Sequence, residues 1–215
     1  MRFRDRHDAG RRLAARLERY RMEQPVILGL PRGGLVVGYE VARALDAPLD
    51  VLMVRKLGIP GNQEVALGAT AAGATLIDKE LQGLLGIPRT VLMEMVKRET
   101  EELHRRERVY RGFRQPINVS RRTVIVVDDG LATGATAQAA VRSLRQRDPR
   151  RIVFAAPICS REGAAALRTV ADEVECLECP GIMQAVGLWY DDFSPTTDAE
   201  VVQCLQRTEA PRVPA

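Results

Sequence analysis

Residues 124–136 read VIVVDDGLATGAT: an apolar run ends on two adjacent carboxylates, and a turn of small residues with two threonines follows. β-Branched residues bounded by turn chemistry predict a fully buried strand. Asp128 and Asp129 stand where that strand ends, which in an open α/β sheet is the edge that carries ligands. Ala137, Ala140, Val141 and Leu144 then recur at helical spacing. Ala132, Thr133, Gly134, Ala135 and Thr136 are therefore predicted at a helix N-terminus. Free backbone N–H groups and the positive end of the helix dipole make that a seat for a phosphate. Carboxylates repel a phosphate but accept hydrogen bonds from hydroxyls. A sugar phosphate satisfies both halves, with its diol on the two acids and its phosphate on the threonine loop.

A strand buried on both faces needs partners, and the chain supplies them. Residues 26–30, 49–54, 151–158 and 173–177 are apolar runs that predict further strands. Asp8 is predicted to cap a first helix, with Leu13, Ala14, Leu17 and Tyr20 on one face. A second helix should turn Val37, Val41, Ala44 and Leu45 inward. Ser160 should cap a small-residue helix, and Thr197 with Glu200 fits a capping box before the last one. Strand and helix alternate, which predicts an α/β fold with a parallel β-sheet core flanked by helices. Aromatics are only 4% of 215 residues, so the core must be aliphatic.

Between these elements the sequence is less regular. Residues 55–73, rich in small residues, predict a functional loop. Residues 88–110 predict a long charged helix with Glu94–Arg98, Glu101–Arg105 and Glu102–Arg106 pairs four apart. Glutamates interleave its arginines, so the stretch 105–114 reads as a solvated helix face rather than a nucleic-acid surface. The final APRVPA is expected to fray. Net charge is +4 and the isoelectric point about 9.1, which suits a small polyanionic ligand. No apolar run approaches the ~20 residues of a membrane span. The first twelve residues lack the apolar stretch of a secretion signal, so a cytoplasmic location is expected. Cys176 and Cys179 form a CxxC, but His7 and His104 are the only histidines to complete a zinc site. Cys159, Cys176, Cys179 and Cys204 are read as reduced cytosolic thiols.

Residues 29–34, GLPRGG, lie between a strand and a helix. Gly33 and Gly34 permit a tight turn and close approach of backbone N–H groups to an anion, and Arg32 adds a fixed charged fork. A strand ending in Asp-Asp also occurs in nucleotide hydrolases, but those need a GxxxxGK[ST] loop upstream. Here Gly34 and Leu35 fill the lysine and hydroxyl positions, so that alternative fails.

The acid pair with its TGAT turn resembles the signature of type I phosphoribosyltransferases, which bind 5-phosphoribosyl-1-pyrophosphate (PRPP). The resemblance covers nearly the whole chain and implies a single domain over residues 1–215. Its core would span about 25–160, its hood about 1–24 and 178–208, and the charged helix insertion about 88–112. GLPRGG resembles the family's pyrophosphate loop, which often holds a non-proline cis peptide, expected here at or beside Arg32. Residues 58–64, GIPGNQE, look like a little-characterised bacterial subgroup, as do FRDR at 3–6 and VGLWY at 186–190. The resemblance implies Mg²⁺ as cofactor, held indirectly by Asp128 and Asp129 through ribose hydroxyls or water. It assigns catalytic roles to Asp128, Asp129, Arg55 and Lys56, the last two expected to face the pyrophosphate, with a pair of surface charges at a strand end as the lesser alternative. Trp189, Tyr190 and Phe193 either stack on an acceptor or pack the hood. Ala132 stands where some relatives carry an acid, as in adenine-type members, so no general acid or base is assigned. The implied activity is transfer of the phosphoribosyl group to a small acceptor with release of pyrophosphate, by a cytoplasmic homodimer. The rival reading is a regulatory module that binds PRPP or a nucleotide and transfers nothing.

Overall fold

β1 (Val26–Gly29) and β6 (Thr123–Val127) are buried along their whole length and pair in parallel, Val26 opposite Val124 and Gly29 opposite Val127. The computed structural model to which they belong describes residues 2–59, 62–71 and 74–208. β2 (Leu49–Val51), β7 (Arg151–Ile158) and β8 (Glu173–Glu178) complete a five-stranded sheet of order β2-β1-β6-β7-β8, parallel throughout. Side chains alternate across the sheet. Ile27, Ile125, Val127, Val153 and Ala155 face one core layer with α1 (Arg6–Leu17), α2 (Gly33–Leu45) and α7 (Asp198–Arg207). Leu28, Val124, Val126, Ile152 and Phe154 face the other, against α5 (Ala135–Arg145) and α6 (Arg161–Leu167). Each fully buried aliphatic side chain contributes about 1.5–3 kcal/mol, so these two layers hold the sheet edge rigid.

Ser160 caps α6 and Thr197 with Glu200 closes the capping box of α7, as expected. The cap of α1 is Asp5 rather than Asp8. Asp5 Oδ1 accepts the Asp8 N–H at 2.7 Å, and Asp8 Oδ2 accepts that of Arg4 at 3.1 Å. The helix thus starts ahead of the expected cap and carries Arg6 in its first turn.

Residues 55–73 are not a plain loop. β3 (Val54–Ile59), β4 (Asn62–Ala71) and β5 (Ala74–Ile77) form a second, antiparallel sheet of order β3-β4-β5. After it come α3 (Lys79–Leu84) and α4 (Arg89–Arg111). On α4, Glu102 pairs with both Arg106 and Arg105, whereas Arg98 turns to its neighbour Glu99. The C-terminal end of α4 is anchored by Arg111, buried against Asp50 of β2 at 2.7 Å.

The reduced-thiol reading is corrected for two of the four cysteines. β7 and β8 run side by side, which brings Cys159 and Cys176 within 6.1 Å (Cα–Cα), and a disulfide joins them. The CxxC motif is therefore split: Cys176 is bonded, while Cys179 is free and exposed. Cys204 is free and buried.

The two ends of the described chain meet. Phe3 bridges Tyr190 in parallel, and the short 3-10 helix Val186–Trp189 precedes that contact. Phe3, Ala9, Ile158 and Tyr190 form a small core of their own there. The terminal APRVPA lies outside the described residues.

Candidate functional site

Asp128 and Asp129 leave the C-terminal end of β6. Asp128 Oδ1 accepts the backbone N–H of Asp129 at 2.9 Å, which fixes the first carboxylate against the turn. Burial, and then the adjacent Asp129, push the Asp128 carboxyl well above the ordinary carboxylate range. Asp129 is held differently. Its Oδ2 accepts Arg6 Nε at 2.7 Å, and both side chains are largely covered. Arg6 also donates to the Ser194 carbonyl at 2.8 Å and lies 3.9 Å above the centre of the Phe193 ring.

The glycine–arginine loop meets the acids directly. The peptide bond between Pro31 and Arg32 is cis, the position the sequence led us to expect. α2 begins at Gly33, where an added Cβ would stand 1.9 Å from Asp129 Oδ2 and 2.6 Å from Arg6 Nε. At Gly34 it would stand 2.6 Å from the Val127 carbonyl oxygen. Any side chain at either position would displace the acid pair, so both glycines are required by close approach. Arg32 itself is half exposed.

The threonine loop comes off the same edge. Gly134 caps α5 at φ 78°, a left-handed conformation that favours glycine. Ala132, Thr133, Ala135 and Thr136 are exposed at the start of the 11-residue α5, where unpaired N–H groups and the dipole face outward. Ser160, the cap of α6, holds the loop's base by donating its hydroxyl to the Ala132 carbonyl at 2.5 Å.

The structure separates the remaining candidates. Arg55 and Lys56 lie in β3 of the antiparallel sheet, not at the end of a parallel strand, because that strand ends at Val51. The Arg55 guanidinium donates to Glu99 of α4 at 2.7 Å, while Lys56 is exposed. Tyr190 is 2% exposed and packs between Phe3 and Phe193, with ring centroids at 5.4 and 4.9 Å. Its hydroxyl donates to the Asp129 backbone carbonyl at 2.6 Å. Burial and the neighbouring Asp129 raise that phenol's pKa, so it stays a donor. Tyr190 is thus a packing and positioning residue rather than a stacking platform. Trp189 lines a cavity with Arg2, Ile182, Gln184 and Leu188, whose walls do not include the acids. Phe193 remains partly exposed under Arg6.

Arg6 is the site residue that sequence spacing did not reveal. It falls within the FRDR stretch, but its partner lies 123 positions away. As a metal site the acids are sparse: among the described residues no group of three or more His, Cys, Asp or Glu could hold an ion. Two hard carboxylates suit a Mg²⁺ that keeps its waters and is carried mainly by substrate oxygens, so the donor set fits indirect binding.

The chain is similar to known proteins over most of its length. The family model for the phosphoribosyl transferase domain matches residues 4–191. A solved structure from Thermus thermophilus is similar over 96% of this chain and 99% of that one, at 43% identity and a TM-score of 0.86. A Mycobacterium tuberculosis protein provisionally named a phosphoribosyl transferase is 42% identical over 206 residues, 95% of this chain. The chain spans 46% of that relative's length. The uracil phosphoribosyltransferase of Staphylococcus saprophyticus is 28% identical over 154 residues, covering 66% of this chain and 68% of its own. No helix among the described residues is long and apolar enough to cross a membrane.

Proposed function

The chain belongs to the phosphoribosyl transferase family, and from that premise we propose that it binds PRPP with Mg²⁺ and transfers the 5-phosphoribosyl group to a small acceptor such as a nucleobase. The observation that carries this reading is the convergence at one sheet edge. The acid pair, the glycine–arginine loop pressed against it and the exposed threonine loop all leave the same ends of β1 and β6.

The reaction breaks the bond between C1 of the ribose and a pyrophosphate oxygen, and forms one from C1 to the acceptor. Asp128 and Asp129 engage the ribose O2 and O3, and their fixed dipoles favour the positive charge that develops on the sugar. Thr133 and Thr136, with the backbone N–H groups of α5, bind the 5-phosphate. Arg32, Gly33 and Gly34 take the pyrophosphate. Bound Mg²⁺ would supply charge neutralisation for the leaving group. Arg6 keeps Asp129 aimed into the crevice.

A second reading, a PRPP- or nucleotide-sensing module without transfer, is favoured by the hood. Tyr190 is buried there and Trp189 faces another cavity, which leaves Phe193 as the one partly exposed ring of the three beside the acids. A pyrophosphate-release screen with PRPP, Mg²⁺ and a panel of purines, pyrimidines and amines separates the two. Release dependent on one acceptor is the expected result. Tight PRPP binding with no turnover on any member supports the sensor instead.

A further inference from the structure

The arginines of α4 are less idle than their sequence suggests. α4 runs beside β2 and against α7, tied down by Arg111 on Asp50 and by the Tyr110 hydroxyl on Asp198 Oδ1 at 2.7 Å. That course carries Arg105, Arg106 and Tyr110 to one wall of a cavity of about 240 Å³, whose opposite wall is Arg32 with Asp198. Three guanidinium groups thus share one small space.

Their charge is only partly balanced. Arg105 and Arg106 divide a single carboxylate, each donating through Nε to Glu102 at 2.7 Å. These two arginines hold the Glu102 carboxyl down to about 2. Arg32 Nη1 stands 4.0 Å from Asp198, whose Oδ1 already accepts from Tyr110. Three cations facing two carboxylates leave the space net positive, which attracts an anion. The three arginine side chains are 50%, 60% and 45% exposed, so they can be approached without a large desolvation cost. A water occupies about 30 Å³ of liquid, so the space has the volume of about eight waters and admits a diphosphate. Arginine forks match such oxygens two at a time. Arg32 links this cavity to the acids, because the next residue, Gly33, is the one that touches Asp129.

We propose that this cavity receives the pyrophosphate end of PRPP, with Arg105 and Arg106 as binding residues that α4 adds to the glycine–arginine loop. The assignment rests on the phosphoribosyl reading above. When the C1–O bond breaks, its electron pair leaves on the pyrophosphate oxygen, and the added guanidinium groups stabilise that charge.

The test is calorimetric titration of the full chain with magnesium pyrophosphate and, separately, with ribose 5-phosphate and PRPP. R105A/R106A should lose at least tenfold in pyrophosphate affinity, and R105K/R106K should recover part of it. Ribose 5-phosphate affinity should not change, and melting temperatures should stay close, since both arginines are exposed. Equal pyrophosphate affinity in all three proteins overturns the cavity assignment. So does a wild type that binds no pyrophosphate. If PRPP binding is lost when Asp128 and Asp129 are both replaced by asparagine but untouched in R105A/R106A, the cavity falls and the phosphoribosyl reading stands. If wild type ignores PRPP yet binds pyrophosphate through these arginines, the cavity is an anion site only, and both the PRPP assignment and the phosphoribosyl reading fall.

Discussion

Replacing Asp128 and Asp129 together by asparagine should weaken PRPP binding by at least about 2 kcal/mol, roughly 30-fold, measured by titration calorimetry. Asparagine keeps the shape of each side chain, and the amide oxygen introduced by Asp128→Asn can still accept the N–H that Asp128 Oδ1 now accepts. What disappears is the charge-assisted acceptance of a ribose hydroxyl by Asp129, together with the proton that Asp128 can give up in order to accept a second. Unchanged binding heats would remove the diol assignment. The single change Asp128→Asn has a second, opposite consequence. In the unfolded chain Asp128 ionises at about pH 4, whereas burial and Asp129 keep it protonated to higher pH in the fold. Between those two values folding takes up a proton, so stability falls as pH rises through that window. Asparagine escapes the penalty. The variant should therefore melt above the wild type at neutral pH, by about 2–4 °C for each kcal/mol recovered. The advantage should vanish as pH is lowered toward about 4. A melting difference that does not change with pH would contradict this account.

Arg111→Leu should cost about 3–5 kcal/mol of folding stability, the scale for stranding a buried charge, and lower the melting temperature by roughly 6–20 °C. Arg111 is 7% exposed and donates to Asp50 Oδ1 at 2.7 Å and to the Val51 carbonyl at 2.6 Å. Its Nη1 lies 2.9 Å from Glu107, another buried carboxylate. Asp50 also accepts the N–H groups of Val51 and Ile117, at 2.7 and 3.0 Å, so it has no alternative arrangement. Removing the cation strips two buried carboxylates of their guanidinium partner and leaves Arg147 as a nearby cation for both. Adding Asp50→Asn and Glu107→Gln to the leucine variant should restore much of the loss, because the uncompensated charge is gone. Calorimetric melting of the single and triple variants decides it. A single variant that melts together with the wild type would show that the network contributes little.

What could be read before the fold was known divides along a physical line. β6, the start of α5 and the buried face of α2 were legible because each is a local pattern: a β-branched run, a small-residue turn, a helical repeat. The same holds for Asp128, Asp129, Gly33, Gly34 and the threonine loop, whose order along the chain is also their order around the edge. The antiparallel sheet was not legible. Gly58, Gly68, Ala69 and Ala71 give its strands too little side chain for a period-two signal, and register shifts interrupt the pairing near Gly58. The Cys159–Cys176 bond was hidden for a different reason, since it depends on β7 and β8 lying side by side. Arg6 belongs to that class too: nothing at position 6 announces an acid at 129. Tyr190 and Trp189 were legible as aromatics, but the burial of the Tyr190 ring depends on Phe3 and Phe193 packing against it.

Arg6 reaches across 123 positions to Asp129 and 188 to Ser194. Closing loops of that size costs entropy that local contacts must first repay. On the ribosome, Arg6 would therefore wait until residues 129 and 194 have emerged before it finds its partners. A chain stalled short of residue 194 would carry the two acids without the full set of contacts that steadies Arg6 against one of them.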